Sequence, residues 1–136
     1  MLDYNTHISK DSMFNTPPVF SIYVSMLTLQ WIKDHGGIEW IEQVNNQKAE
    51  LIYTEIDRNP LFEGVAKQED RSNMNVTFTL KDTNLEETFN QMWNGAGISG
   101  LNGHRSVGGY RASIYNAMPI ESVQVLVDIM KNLENI

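Results

Sequence analysis

A segment near the start of the chain, residues 16–35, is apolar on almost every side of a helix. Thr16-Pro17-Pro18 is a typical helix start, since threonine can cap free amides and proline in the first turn gives up no needed donor. Two apolar stripes then follow helical spacing. They consist of Phe20, Tyr23, Val24, Leu27 and Trp31, and of Val19, Ile22, Met26 and Leu29. Such a helix needs cover on several sides, so the sequence predicts a partner surface beyond a small domain.

Length and composition indicate one folded domain. The chain has 136 residues, of which 41% are hydrophobic and 20% charged, as in ordinary globular proteins. Seventeen acidic residues against ten basic ones give a net charge of -7, which argues against nucleic acid as a partner. The chain has no cysteine and begins with no secretory signal, so we expect a cytoplasmic protein. The longest apolar stretch is shorter than the roughly 20 residues that a bilayer span needs, so we expect no membrane segment.

Periodicity predicts three further helices and one clear strand. Gly36-Gly37 ends the first helix, and a second one carries apolar positions from Ile38 to Ile56 and stops before Asn59-Pro60. Residues 74–80 alternate between apolar and polar, which is typical of a strand with one buried face. A capping box at 83–86 starts a helix that reaches Gly95, and Pro119 opens the last helix.

Two short strand candidates, residues 98–101 and 110–115, flank a glycine-rich stretch at 103–109, and we expect them to pair as a hairpin. The resulting order of elements is two helices, a strand, a helix, a hairpin and a helix. This order predicts a two-layer α+β domain with the helices on one face of a small, mainly antiparallel sheet.

The candidate chemistry lies in and beside the glycine-rich stretch. Two of the four arginines, Arg105 and Arg111, lie there together with His104. A guanidinium fork fits carboxylate or phosphate oxygens two at a time, and glycines let backbone amides approach an anion. The alternative is that Arg105 lies on a solvated loop while Arg111 pairs with an acidic strand neighbour.

Other residues allow similar alternatives. Asn15 and Thr16 suit either a helix cap or an anion at the helix start. His7 and His35 show no spacing typical of a metal site, and no catalytic triad or phosphate-binding loop is apparent. The residues alone therefore predict an anion-binding α+β domain and no more specific function.

Four stretches of sequence resemble the phosphoserine aminotransferases. They read SMFNTPP at 12–18, NQKAEL at 46–51, DRSNMNV at 70–76 and GHRSVGGYRASIYNAMP at 103–119. The last is the most specific, and together they cover nearly the whole chain in one order. The resemblance implies the small domain of a fold-type-I, pyridoxal 5'-phosphate-dependent enzyme, with residues 1–16 as a lead-in from the large domain and 17–136 as the small domain.

The resemblance also implies roles for individual residues. Arg111 matches the arginine that holds the substrate α-carboxylate, and His104 and Arg105 match residues that hold the substrate phosphate. Asn15 and Thr16 match a pair that reaches the cofactor phosphate of the neighbouring subunit in a homodimer. The implied reaction converts 3-phosphohydroxypyruvate and L-glutamate into O-phospho-L-serine and 2-oxoglutarate, in serine biosynthesis and, for many bacterial members, in pyridoxine biosynthesis.

No residue of this chain matches the family's catalytic Schiff-base lysine, because none of the six lysines lies in that motif. We therefore expect the chain to be inactive alone. Two alternatives stay open: another class-V aminotransferase, such as an alanine-glyoxylate enzyme or a cysteine desulfurase, and a free-standing anion-binding regulatory module without catalysis.

Overall fold

The structure, a computed structural model, describes residues 2–136 and divides into two compact units. The first ends at Trp40, and the second spans Ile41–Ile136. The division that the resemblance implies, with residues 1–16 as a lead-in from a large domain and 17–136 as the small domain, stays a prediction. Within the described residues, no helix is both long enough and apolar enough to cross a membrane.

The first unit contains helices α1, Tyr4–Ile8, and α2, Val19–Asp34. The predicted span of α2 is confirmed, but the predicted cap is wrong. Pro18 occupies the N-cap position and no side chain caps the helix, so Thr16 lies two residues too early to reach the free amides. No residue of α2 is buried, and its apolar side chains are largely exposed, Phe20 by 79% and Leu29 by 67%.

Helix α3, Gly37–Arg58, confirms the second helix that the amphipathic pattern predicted, and the boundary between the two units falls within it, after Trp40. Ile41, Ile52 and Ile56 are buried as expected, whereas Ile38 is 79% exposed. The buried stripe of α3 also includes polar positions, which are Asn45, Lys48 and Glu55.

Three antiparallel strands form the sheet in the order β1-β2-β3, with β1 at Phe62–Gly64, β2 at Asn75–Leu80 and β3 at Tyr110–Ser113. The alternation predicted for β2 is confirmed, since Val76, Phe78 and Leu80 are buried. Strand β1 was not predicted, because three residues carry too little pattern and only the pairing with β2 defines them.

Of the predicted hairpin, only one antiparallel bridge is present, and the predicted strand at residues 98–101 is wrong. Residues 98–101 form no strand, and a single bridge joins Asn102 to Tyr110, while β3 pairs with β2 instead. The amide of Ile98 donates to the carbonyl of Trp93 at 3.1 Å, so this segment closes the end of a helix. Gly100 then takes φ +72°, a left-handed conformation that interrupts an extended ladder.

Helices α4, Glu86–Gly95, and α5, Ile120–Leu133, complete the second unit. The capping box predicted at 83–86 is wrong, because no side chain caps α4. The carboxylate of Asp82 instead accepts a hydrogen bond from the amide of Asn84 at 3.0 Å and caps a short 3-10 turn, Thr83–Leu85, that precedes α4. Buried residues of α3, α4 and α5 share one core with the apolar face of the sheet. The predicted two-layer α+β arrangement, with helices on one face of an antiparallel sheet, is confirmed.

Candidate functional site

Arg111 lies in β3, opposite Thr77 of β2, on the side of the strand turned away from the core. Its guanidinium group has no carboxylate within ion-pair distance among residues 2–136. The three ion pairs within these residues belong to two other arginines, Arg58 with Glu55 and Glu134, and Arg71 with Asp57. The alternative in which an acidic neighbour neutralises Arg111 is therefore wrong, and its fork is available for a ligand.

Arg111 borders a cavity of about 360 Å³ in the second unit. The segment 96–101, the end of β3 and the first turns of α5 form its walls. The wall is largely apolar, and besides Arg111 its polar side chains are Ser99, Ser113 and Ser122. A cavity of this size with few polar groups is typical of a site for a small metabolite.

His104 and Arg105 lie on the exposed loop 103–109 that leads into β3. The amide of Gly103 donates to the carbonyl of Gly109 at 2.8 Å and closes the base of the loop. Inside the loop, Ser106 Oγ lies 2.7 Å from His104 Nδ1, so a neighbour orients the imidazole ring. Arg105 has no hydrogen-bond or ion-pair partner within the described residues. The structure therefore confirms that Arg105 lies on a solvated loop. Its role in binding a substrate phosphate stays a prediction.

Gly109 holds this loop against the sheet. Its φ is +65°, and a Cβ atom there would lie 2.9 Å from the carbonyl oxygen of Phe78 and from Thr79 Cγ2. Only glycine fits such a close approach without moving the backbone of β2. The loop thus runs directly into β3, which carries Arg111, although His104 and Arg105 do not line the cavity beside Arg111.

Asn15 and Thr16 belong to the first unit, not to the second unit that holds Arg111. Both are exposed, and neither side chain makes a hydrogen bond in the part of the chain that the structure describes. The helix start that follows them has no side-chain cap. The amide of Val19 donates to the carbonyl of Pro17 at 2.8 Å, whereas the amides of Phe20 and Ser21 have no acceptor among residues 2–136. Free amides, a hydroxyl and a carboxamide fit a phosphate group, which is the group that this pair is expected to hold.

Sequence reasoning missed a clamp built on Lys48. The Lys48 ammonium donates to the backbone carbonyls of Ile114, Tyr115 and Met118 at 3.1, 2.8 and 3.2 Å. Burial lowers the pKa of Lys48 below its ordinary value. The available signal was a lysine at a core position of the α3 stripe.

The residues beyond Arg111 on the same face of the sheet also form contacts that the sequence did not indicate. Ser113 Oγ and the Tyr115 hydroxyl donate to Asn75 Oδ1 at 3.2 and 3.3 Å. No group of three or more potential metal ligands occurs in residues 2–136.

A family model for class-V aminotransferases matches residues 1–126. The chain therefore belongs to the class-V aminotransferase family. Within it, the chain is similar to phosphoserine aminotransferases, as the four sequence stretches indicated. It is 67% identical over 135 residues to the phosphoserine aminotransferase of Flavobacterium psychrophilum, an alignment that covers 99% of this chain and 38% of that enzyme.

Solved structures agree with this similarity. The phosphoserine aminotransferase from Bacillus circulans subsp. alkalophilus superposes with a TM-score of 0.89 at 44% identity, over 97% of this chain and 37% of that one. The pyridoxal-phosphate-bound enzyme from Trichomonas vaginalis superposes with a TM-score of 0.84 at 39% identity, over 95% and 37%. The chain thus spans less than two fifths of the length of these relatives. Their similarity over nearly the whole of this chain does not favour a free-standing regulatory module.

Proposed function

We propose that this chain is the C-terminal part of a phosphoserine aminotransferase and supplies its substrate-binding residues. The complete enzyme would convert 3-phosphohydroxypyruvate and L-glutamate into O-phospho-L-serine and 2-oxoglutarate in serine biosynthesis, with a second activity in pyridoxine biosynthesis. The observation that carries the proposal is the guanidinium group of Arg111, which borders a metabolite-sized cavity and has no ion-pair partner within residues 2–136. The similarity to enzymes of that name supports the choice of substrate.

In this proposal the charged groups divide the substrate between them. Arg111 binds the α-carboxylate, which glutamate and phosphoserine share, through two parallel hydrogen bonds. His104 and Arg105 bind the phosphate, which only one amino acid substrate carries. A phosphate with two negative charges suits an exposed loop that presents a guanidinium group and an imidazole ring in consecutive positions.

Asn15 and Thr16 would hold the phosphate of pyridoxal 5'-phosphate in the neighbouring subunit of a homodimer. When bound, the cofactor supplies the electron sink that transamination requires. The contribution of these two residues is to fix the phosphate end with a carboxamide and a hydroxyl that make no hydrogen bond within the described part of the chain. The homodimer and the cytoplasmic location also belong to this proposal. A further part of it is that the exposed apolar surface of α2 contacts the rest of the enzyme.

The proposal is tested by two linked assays. The complete enzyme should transfer the amino group of O-phosphoserine to 2-oxoglutarate and should leave alanine with glyoxylate, and cysteine, unreacted. Comparable turnover of serine and phosphoserine would contradict the assigned phosphate contacts. The 136-residue chain alone, mixed with the cofactor, should show neither turnover nor the absorbance band of a lysine-bound cofactor, and either signal would refute the inactivity of this part.

A further inference from the structure

Lys48 is an unusual residue for the centre of a core. Its side chain is 0% exposed, on the stripe of α3 that faces the sheet and α5. No carboxylate within residues 2–136 lies close enough to form an ion pair with it. Burying an ammonium group without an opposite charge is costly, and an apolar side chain would fill the same space more cheaply. The partners of its Nζ atom are instead three backbone carbonyl oxygens.

These carbonyls belong to one turn that follows β3. The carbonyls of Ile114, Tyr115 and Met118 all accept from Lys48 Nζ. One turn of α3 earlier, Asn45 Nδ2 donates to Asn116 Oδ1 at 2.8 Å. Helix α3 thus holds the turn 114–118 through two side chains, and a lysine is suited to this because it has three donors and no acceptor.

This turn forms part of the wall beside Arg111. Ile114 and Met118 line the same cavity as Arg111, and both are bonded to Lys48. Ile114 is fixed twice, because its amide also donates to the carbonyl of Met74 at 2.9 Å. At the other end of the strand, the amide of Arg111 donates to the carbonyl of Leu101 at 2.7 Å. The strand that carries Arg111 is thus anchored at both ends.

We propose that Lys48 is a positioning residue for substrate binding. It holds the turn 114–118 in place, and through that turn it fixes β3 and the cavity wall from which Arg111 reaches the substrate carboxylate. The inference rests on the proposed role of Arg111, and Lys48 itself touches no substrate. Since a carboxylate bound by two parallel hydrogen bonds requires accurate placement of the guanidinium plane, a small shift of β3 weakens binding.

The test is a double-mutant cycle in the complete enzyme with Lys48→Met and Arg111→Ala. Lys48→Met should raise the KM for glutamate and for phosphoserine by about tenfold and change kcat little, because a shifted guanidinium weakens a contact that both substrates make. In the Arg111→Ala background, the same change at Lys48 should have no further effect on either KM. Lys81→Met, the same chemical change at an exposed lysine, is the matched control and should behave as the parent.

The outcomes separate this inference from the proposed function. If Arg111→Ala leaves both KM values unchanged, the proposed role of Arg111 is refuted, and the positioning role falls with it. If Arg111→Ala raises both KM values but Lys48→Met does not, only the role of Lys48 is refuted. Effects of Lys48→Met that multiply with those of Arg111→Ala would also overturn it, since they would show that Lys48 acts elsewhere.

A milder variant keeps the test available if Lys48→Met does not fold. Asn116→Ala removes the second contact of the clamp from the turn itself, where Asn116 is only half-buried. It should raise both KM values in the same direction, by a smaller factor, and an unchanged KM would count against the inference. In the complete enzyme, Asn116→Ala should speed hydrogen exchange of the Met118 amide while that of Phe78 stays as in the parent.

Discussion

Replacement of Arg105 by alanine separates binding from folding unusually well. The Arg105 side chain lies on the exposed loop 103–109 and makes no ion pair or hydrogen bond within residues 2–136. Its removal therefore deletes no internal contact, and the free energy of unfolding should change by less than about 0.5 kcal/mol. A loss of activity in Arg105→Ala then reports on substrate binding and not on unfolding.

The magnitude follows from the charge and the exposure of the group. Two unit charges about 4 Å apart near a protein surface attract each other by about 4 kcal/mol, and loss of a charged hydrogen bond typically costs about 2 to 4 kcal/mol. Because the loop is open to solvent and salt, we take the lower value of about 2 kcal/mol, which corresponds to about thirtyfold in kcat/KM. Glutamate has no phosphate, so its kcat/KM should fall by no more than about fivefold.

The assay measures kcat/KM for O-phosphoserine and for glutamate in the complete enzyme, for the parent and for Arg105→Ala. Lys67→Ala is the control, because Lys67 is also exposed and its side chain makes no capping bond. Added salt should reduce the difference in kcat/KM for phosphoserine between the parent and Arg105→Ala, because screening weakens the ionic contact that the variant lacks. Equal losses for both substrates would refute the assignment of Arg105 to the phosphate.

Three further changes test the site and the fold. Arg111→Ala should raise the KM for both glutamate and phosphoserine, because both carry an α-carboxylate, and unchanged kinetics would remove Arg111 from the site. Burial alone would raise the pKa of Glu55, but hydrogen bonds from Arg58 and Asn59 outweigh it and hold the pKa below its ordinary value. This stabilisation is present above about pH 4.3 and is lost as the pH falls through the lowered pKa, so the urea midpoint should fall less on acidification in Glu55→Gln than in the parent. Phe89→Ala should cost about 3 to 5 kcal/mol in urea unfolding, because Phe89 is fully buried, and a cost below about 1 kcal/mol would contradict its place in the core.

Periodicity in the sequence was sufficient for the elements that carry a long pattern. Helices α2, α3 and α5 lie where their apolar spacing predicted them, and β2 buries the alternate residues that the pattern indicated. The predictions failed where local pattern is short. Strand β1 has only three residues. The segment 98–101 has a strand-like composition but follows the end of α4, because the amide of Ile98 donates to the carbonyl of Trp93 and Gly100 takes a positive φ.

The sequence by itself determined the elements with sustained periods, the family resemblance, and the types of residue that can bind a phosphorylated amino acid. Only the tertiary structure decided which charges are free. Within residues 2–136, Arg58 and Arg71 are paired with carboxylates, whereas Arg105 and Arg111 are not. Lys48 donates hydrogen bonds to a turn 66 to 70 residues further along the chain. The physical reason is range: a periodic pattern repeats within a few residues, but the partner of a charge depends on which distant segments the folded chain brings within hydrogen-bonding distance.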